Sequence, residues 1–175
     1  MSSDPVNLSE LCVACGLCCT GAVFSHAKLS DTDKEILRKS GTKAGDGTYT
    51  GERLHLPCNF LNGSACSIYD KGRPKVCGEY LCKLARQVED GKIEMVEAKT
   101  IAAEARRLLE AASAGLPKVT NIATGAKTLV EGVLPDGDDR TKHIKARLAY
   151  VALQTLIDNR IRTSDQKWIK SSDKV

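Results

Sequence analysis

Eight cysteines are the residues of this chain best equipped for chemistry, and all lie between Cys12 and Cys82 of a 175-residue sequence. The first four stand as Cys12-Val13-Ala14-Cys15-Gly16-Leu17-Cys18-Cys19. A C-x-x-C step lets two thiolates converge on one ion, and the glycine after it relieves the tight backbone that accompanies the step. Side chains of the adjacent Cys18 and Cys19 diverge, so both reach one compact tetrahedral ion only with strain. That pair suits two neighbouring metals or one larger cluster. Cys58, Cys66, Cys77 and Cys82 supply the further ligands, with gaps of seven, ten and four residues. Eight thiolates make two four-cysteine sites or one polynuclear site, and a single zinc cannot use them all.

Cys12–Cys15–Cys18 resembles the three-thiolate loop that wraps an iron–sulfur cube in bacterial ferredoxins. The fourth ferredoxin cysteine and its proline are missing, because Ala22 and Val23 stand there. The C-x3-C-x2-C of radical S-adenosylmethionine enzymes is not matched either. Cys15–Cys19 has its first gap, and no cysteine follows at the second. The opening cluster is followed in order by Pro57-Cys58-Asn59-Phe60-Leu61, Cys66-Ser67-Ile68-Tyr69, Arg73-Pro74 and Cys77-Gly78-Glu79-Tyr80-Leu81-Cys82. Together these resemble the CxxCxxCC zinc- or iron-chelating family, whose bacterial members are often called cysteine cluster proteins. Gly78, where the family pattern has an arginine, and Gly72, inserted before Arg73, depart from it without removing a thiolate. The resemblance implies metal chelation and leaves any reaction open. A similar module occurs in flagellin lysine N-methylases, which are much larger chains. No S-adenosylmethionine-binding pattern is visible here, so an enzyme or enzyme subunit of that kind is a distant alternative.

Both zinc and iron–sulfur centres accept four thiolates. Three cysteines at two-residue gaps suit a cluster with several iron corners, which favours iron–sulfur of the 4Fe-4S type, with zinc as the alternative. Structural zinc would simply fold residues 12–82, supplying about 10 kcal/mol or more per site. His55 begins an H-x-x-C step with Cys58 that could chelate, and His26 is a weaker candidate. His143, between Lys142 and Lys145, reads as the wet face of a helix. Tyr69 and Arg73 are candidate hydrogen-bond donors to cluster sulfurs. Glu79 could be a ligand or proton carrier, with nothing nearby to single it out. No phosphate loop, G-x-G-x-x-G, H-E-x-x-H or G-x-S-x-G occurs. Eight cysteines in metal sites leave none spare as a nucleophile, so catalysis by side chains alone is not expected.

Compartment and composition frame these ligands. No basic, apolar leader opens the sequence and no stretch is apolar enough to span a membrane, so a cytoplasmic protein with reduced, metal-bound cysteines is expected. At 42% apolar and 27% charged residues the chain can bury a core and is not a disordered tail. Its formal charge of +4 and aromatic content of 4% argue weakly for nucleic acid. Two four-thiolate centres of net −2 each would cancel that charge, so nucleic acid is not an expected partner. Metal ions or a cluster, and a redox or protein partner, remain, so the expected role of one or two such centres is electron transfer, redox sensing, or metal or cluster delivery. A structural zinc module for protein or nucleic-acid interaction is the alternative from another class.

The elements that must position the cysteines predict an α+β fold, mainly α. A small metal-stapled, cysteine-rich domain with a short β-hairpin packs against C-terminal helices. Residues 1–92 form the cysteine region and 93–175 the helical one, expected to pack as a unit. Ala22-Val23-Phe24 reads as a strand. Ser30–Asp33 has the form of a capping box that opens a helix to about Ser40, stopped by Gly41. Gly41–Gly51 reads as loop, and Asn62-Gly63 as a hairpin turn. One helix is expected from Pro74–Cys77 to Glu89. Ile101, Ala105, Leu108 and Ala112 mark another, ended at Gly115-Leu116-Pro117. A long helix over 139–162 should present Ile144, Leu148, Val151, Leu153, Leu156, Ile157 and Ile161 as one apolar face. Lys118–Gly137 is weakly patterned.

Overall fold

A computed structural model describes residues 7–42, 47–116 and 122–163. In chain order the elements are α1 (Ser9–Cys15), β1 (His26–Lys28), α2 (Asp31–Lys39), β2 (Tyr49–Thr50), β3 (Arg53–His55), β4 (Leu61–Asn62), β5 (Ala65–Cys66), α3 (Lys75–Glu79), α4 (Lys83–Glu89), α5 (Met95–Ser113), α6 (Ile122–Glu131) and α7 (Asp138–Arg160). This is the expected α+β, mainly α architecture. One antiparallel sheet has the order β1-β3-β2, and β4 and β5 form a separate hairpin.

Three apolar clusters hold these pieces. In the largest, Ala105, Leu108 and Ala112 of α5 meet Leu129 of α6 and Ala146, Tyr150, Leu153 and Ile157 of α7. The α7 residues recur at spacings of four, three and four, which is the stripe one helix buries against another. Leu17, Ala22 and Val23, from the chain after α1, join the same cluster. A second cluster packs Leu11 of α1 and Leu84, Ala85 and Val88 of α4 onto Ala98 and Ala102 of α5. Alanines at both α5 contacts carry no bulk, so α1 and α7 approach its backbone closely. The third joins Leu54 of β3, opposite Ala27 and Tyr49 on its two neighbours, to Leu29 and Leu37. Each buried leucine or isoleucine contributes about 1.5–3 kcal/mol.

The Ser30 capping box forms as read. Asp33 N–H donates to Ser30 Oγ at 3.1 Å, Ser30 N–H donates to Asp33 Oδ2 at 3.0 Å, and α2 stops at Ser40. Gly63 turns the β4–β5 hairpin with φ 63°, and α5 ends at Ser113 before Gly115.

Several expectations are overturned. Ala22-Val23-Phe24 is irregular chain. No strand takes the Ala22 and Val23 carbonyls. The buried guanidinium of Arg162 donates to both, at 3.0 and 3.1 Å, and to Gln154 Oε1 and Asp158 Oδ1 at 2.8 and 2.6 Å. The Gly41–Gly51 loop gives up Tyr49–Thr50 to the sheet, while 43–46 fall outside the described residues. The expected helix through Glu89 is two helices broken at 80–82. A ten-residue helix, α6, lies in the weakly patterned stretch. The apolar face of α7 is split. Leu153, Ile157 and the following Ile161 are buried, but Leu148 is 66% exposed, and Ile144 and Val151 also face out. His143 is half-buried, with its Nε2 shut away from solvent, because α7 turns that side inward rather than to water. Among the described residues no helix is long and apolar enough to cross a membrane.

Candidate metal centre

Cys12 and Cys15 stand one turn apart on α1, so their thiols leave the same helix face. Gly16 ends α1 at φ 64°, and its amide donates to the Cys12 carbonyl at 3.0 Å. A Cβ at Gly16 would lie 2.8 Å from the Ser64 carbonyl oxygen and 3.1 Å from the Ser64 Cα. Glycine alone therefore allows the β4–β5 hairpin, with Cys66, to dock on the first cysteine loop. Wholly buried Leu17 then anchors the turn. Cys19 N–H donates to the Gly16 carbonyl at 2.9 Å, and Thr20 Oγ1 donates to the Leu17 carbonyl at 2.8 Å. These bonds pin the backbone on both sides of the adjacent Cys18 and Cys19.

The other four cysteines reach this turn from several elements. Cys58 N–H donates to the Cys19 carbonyl at 2.8 Å. Cys66 pairs with Leu61 across the hairpin. Cys77 lies on α3, whose start is held by Asp33: its Oδ1 accepts the Lys75 amide at 2.6 Å. Cys82 is the N-cap of α4, and its Sγ accepts the Ala85 amide at 3.3 Å. The break at 80–82 separates Cys77 from Cys82 by turning the backbone extended at Tyr80 and Cys82. The Tyr80 ring meets Phe24 edge-on, with centroids 4.8 Å apart.

Burial is the leading influence on these thiols. It pushes Cys15 and Cys77 up to about 11 and Cys19 up to about 12. Cys12, Cys18, Cys58 and Cys82 are raised as well. Mutual repulsion among the thiols adds to burial, opposed by backbone amides at Cys15, Cys58 and Cys82. Cys15, Cys82 and Cys12 act on Cys18; Cys82 and Cys12 act on Cys15; Cys12 acts on Cys82. Separately, Cys58, Cys77 and Cys66 act on Cys19, Cys58 and Cys66 act on Cys77, and Cys66 acts on Cys58. Across the two sets Cys19 bears on Cys18, its chain neighbour. Raised thiols are the opposite of an activated nucleophile, which needs a lowered one. They become thiolates when a cation compensates the charge.

All eight are free thiols, and all eight line one cavity of about 310 Å³. Leu11, Leu17, Leu54 and Ile68 share its wall. Among the described residues no three His, Cys, Asp or Glu side chains converge closely enough to hold one metal ion. The thiols surround a space. Backbone amides point at them too, from Leu17 to Cys15, from Phe60 to Cys58 and from Ala85 to Cys82. A soft, thiolate-binding metal centre fits this donor set.

The other candidates separate. His55 is exposed on β3, its Nε2 2.9 Å from Thr50 Oγ1, and is not part of the cavity wall. His26 borders the cavity but is exposed, with Nδ1 3.0 Å from Ser25 Oγ. Glu79 is exposed at the end of α3. Tyr69 and Arg73 both line the cavity, with the guanidinium carbon 4.1 Å from the Tyr69 ring centre. Sequence reasoning missed Leu17, Asp33 as an anchor for α3, and Arg162. Leu17, between two cysteine steps, was the readable signal. Arg162 had none, since its partners Ala22 and Val23 lie about 140 positions away.

Searches among curated proteins and among solved structures found no match. Residues 11–106 do match a protein family, from the first turn of α1 through the cysteine region and into α5. The match covers more than half of the chain, so the chain belongs to the CxxCxxCC family, described as "Putative zinc- or iron-chelating domain".

Proposed function

We propose that the chain is an electron carrier holding two 4Fe-4S centres, one on Cys12, Cys15, Cys18 and Cys82 and the other on Cys19, Cys58, Cys66 and Cys77. The carrying observation is the ring of eight thiols about one cavity, with Cys15, Cys18 and Cys82 packed against the helical clusters and Cys58 bonded by its amide to the Cys19 carbonyl. A zinc ion draws its sulfurs to about 2.3 Å and needs no enclosed space. A cluster is a body with volume, and it suits thiols that stand apart around a cavity. Amides aimed at cluster sulfurs belong to the same design.

When bound, such centres supply one-electron chemistry. The chain's own residues do the rest. Leu17 and Ile68 exclude water from the cavity wall, and the amides of Leu17, Phe60 and Ala85 donate to thiolate sulfur. Each set has one exposed member, Cys12 or Cys77, so each centre has a side that a protein donor or acceptor can reach. Consecutive Cα atoms about 3.8 Å apart at Cys18–Cys19 keep the two centres adjacent. The reducing cytoplasm is the compartment that suits unpaired thiols.

Anaerobic purification followed by iron and acid-labile sulfide analysis tests this reading. About eight of each per chain are expected, with interacting paramagnetic signals on reduction. Zinc without sulfide, or a single cluster per chain, overturns it.

A further inference from the structure

Tyr69 and Arg73 line one wall of the thiol cavity, and their polar groups make no hydrogen bond among the described residues. The Tyr69 hydroxyl is buried and makes no hydrogen bond. Tyr69 is tied to the second set through its backbone, whose amide donates to the Cys66 carbonyl at 3.1 Å. Arg73 lies over the Tyr69 ring at 4.1 Å and makes no ion pair or hydrogen bond among the described residues. Its guanidinium lies beside α3, where a Cβ at Gly78 would stand in ordinary contact with Arg73 Nη2, at 3.6 Å.

Both groups are costly to leave unused. A buried donor without a partner costs about 1–3 kcal/mol, and a cation held against a low-dielectric wall needs negative charge nearby. The eight thiols of the same cavity can supply that charge once ionised. Arginine and hydroxyl donors beside a cluster favour its more negative, reduced form, so they raise its reduction potential.

We propose that Tyr69 and Arg73 are positioning residues for the Cys19 set: the Tyr69 hydroxyl donates to a sulfur of that centre, Arg73 lies against its thiolates, and the pair makes it the more easily reduced of the two. This rests on the two-centre reading above. Electrons entering at the Cys12 set then run downhill to the Cys77 side, one electron leaving the first centre for each one gained by the second. Arg73 stands beside α3, which carries Cys77, and over the ring of Tyr69, whose amide is bonded to Cys66.

The test is redox titration of the loaded, full-length protein, following both centres by visible and paramagnetic resonance spectra. The second centre is identified as the signal missing from Cys66→Ala and retained in Cys12→Ala. Tyr69→Phe should keep its full iron and sulfide yet make that one centre harder to reduce by about tenfold, or about 59 mV for one electron. Arg73→Gln should shift the same centre at least as far, and Arg73→Lys should recover part of the shift by restoring the charge. Loaded Tyr69→Phe and Arg73→Gln chains with unshifted potentials overturn the inference, as does an equal shift of both centres. If Tyr69→Phe does not load, the Arg73→Gln and Arg73→Lys pair decides alone. Wild-type protein without acid-labile sulfide defeats the two-centre reading itself, before any variant is made.

Discussion

The two cysteine sets differ in what stands behind them. Cys12 and Cys15 share a helix face, Cys82 caps another helix, and Cys15, Cys18 and Cys82 pack against the large helical clusters. The second set has thinner support. Cys58 is on irregular chain, Cys66 on a hairpin of two-residue strands, and Cys77 on a five-residue helix. Its neighbours Phe60 and Val76 reach only the small sheet cluster, and its wall carries Tyr69 and Arg73. Helices of one turn and hairpins this short have no stability of their own in water. The first set of thiols is therefore held in place by packing, and on the proposed reading the second depends on its metal.

Metal removal should expose that contrast most strongly. Chelation under anaerobic conditions withdraws on the order of 10 kcal/mol per site. Hydrogen exchange should then rise across β4, β5 and α3 while α5 and α7 stay protected. Equal loss of protection throughout the chain would erase the distinction. Next in size is the division at the adjacent pair. Cys18→Ser should lose the packed centre and Cys19→Ser the thinly supported one, each leaving about half of the iron. Complete loss of iron in both variants would mean one joined centre.

Arg162→Met addresses the packed side. It removes the guanidinium that Asp158 Oδ1 accepts at 2.6 Å and that holds the Ala22 and Val23 carbonyls, which follow the first cysteine loop. Breaking such a buried pair costs about 3–5 kcal/mol, so Tm should fall by several degrees. Iron on the Cys19 set should be retained, and its selective loss would contradict the assignment of support.

The smallest effect belongs to Asp33, which anchors the helix that carries Cys77. Burial pushes its carboxyl up, but donors from the Ser30 hydroxyl and the Ser30, Lys75 and Val76 amides outweigh this and hold it below the ordinary carboxylate value. Its stabilisation is thus present above the unfolded value near 3.9 and is lost as pH falls through the lower folded value. Asp33→Asn should cost about 2 kcal/mol near neutrality. In denaturant titrations the gap from wild type should close as pH falls below the unfolded value near 3.9 and through the lower folded one. A gap independent of pH would show that Asp33 acts without its charge.

Local rules read well where a segment was autonomous. The capping box of Ser30 and Asp33, the Gly63 turn and the α5 stripe depend on neighbours within a few positions, and all were legible. The strand expected at Ala22-Val23-Phe24 failed because a guanidinium from beyond α7 took its carbonyls. The helix expected through Tyr80 failed because Cys82 caps a new helix with its sulfur. On α7 the apolar residues outnumber the surface available on α5 and α6, so Leu148 and Val151 face out.

By itself the sequence determined the chemistry: eight thiols, their order, and an adjacent pair that one small ion cannot share. Residue types carry that information without any fold. Only the tertiary structure decided which thiols stand together. Cys82 shares packing clusters with Cys15 and Cys18 across more than sixty positions of chain, while the Cys19 carbonyl accepts the Cys58 amide. That sorting depends on a helix break at 80–82 and on a glycine pressed against Ser64. Both are consequences of packing between distant segments, which no local spacing encodes.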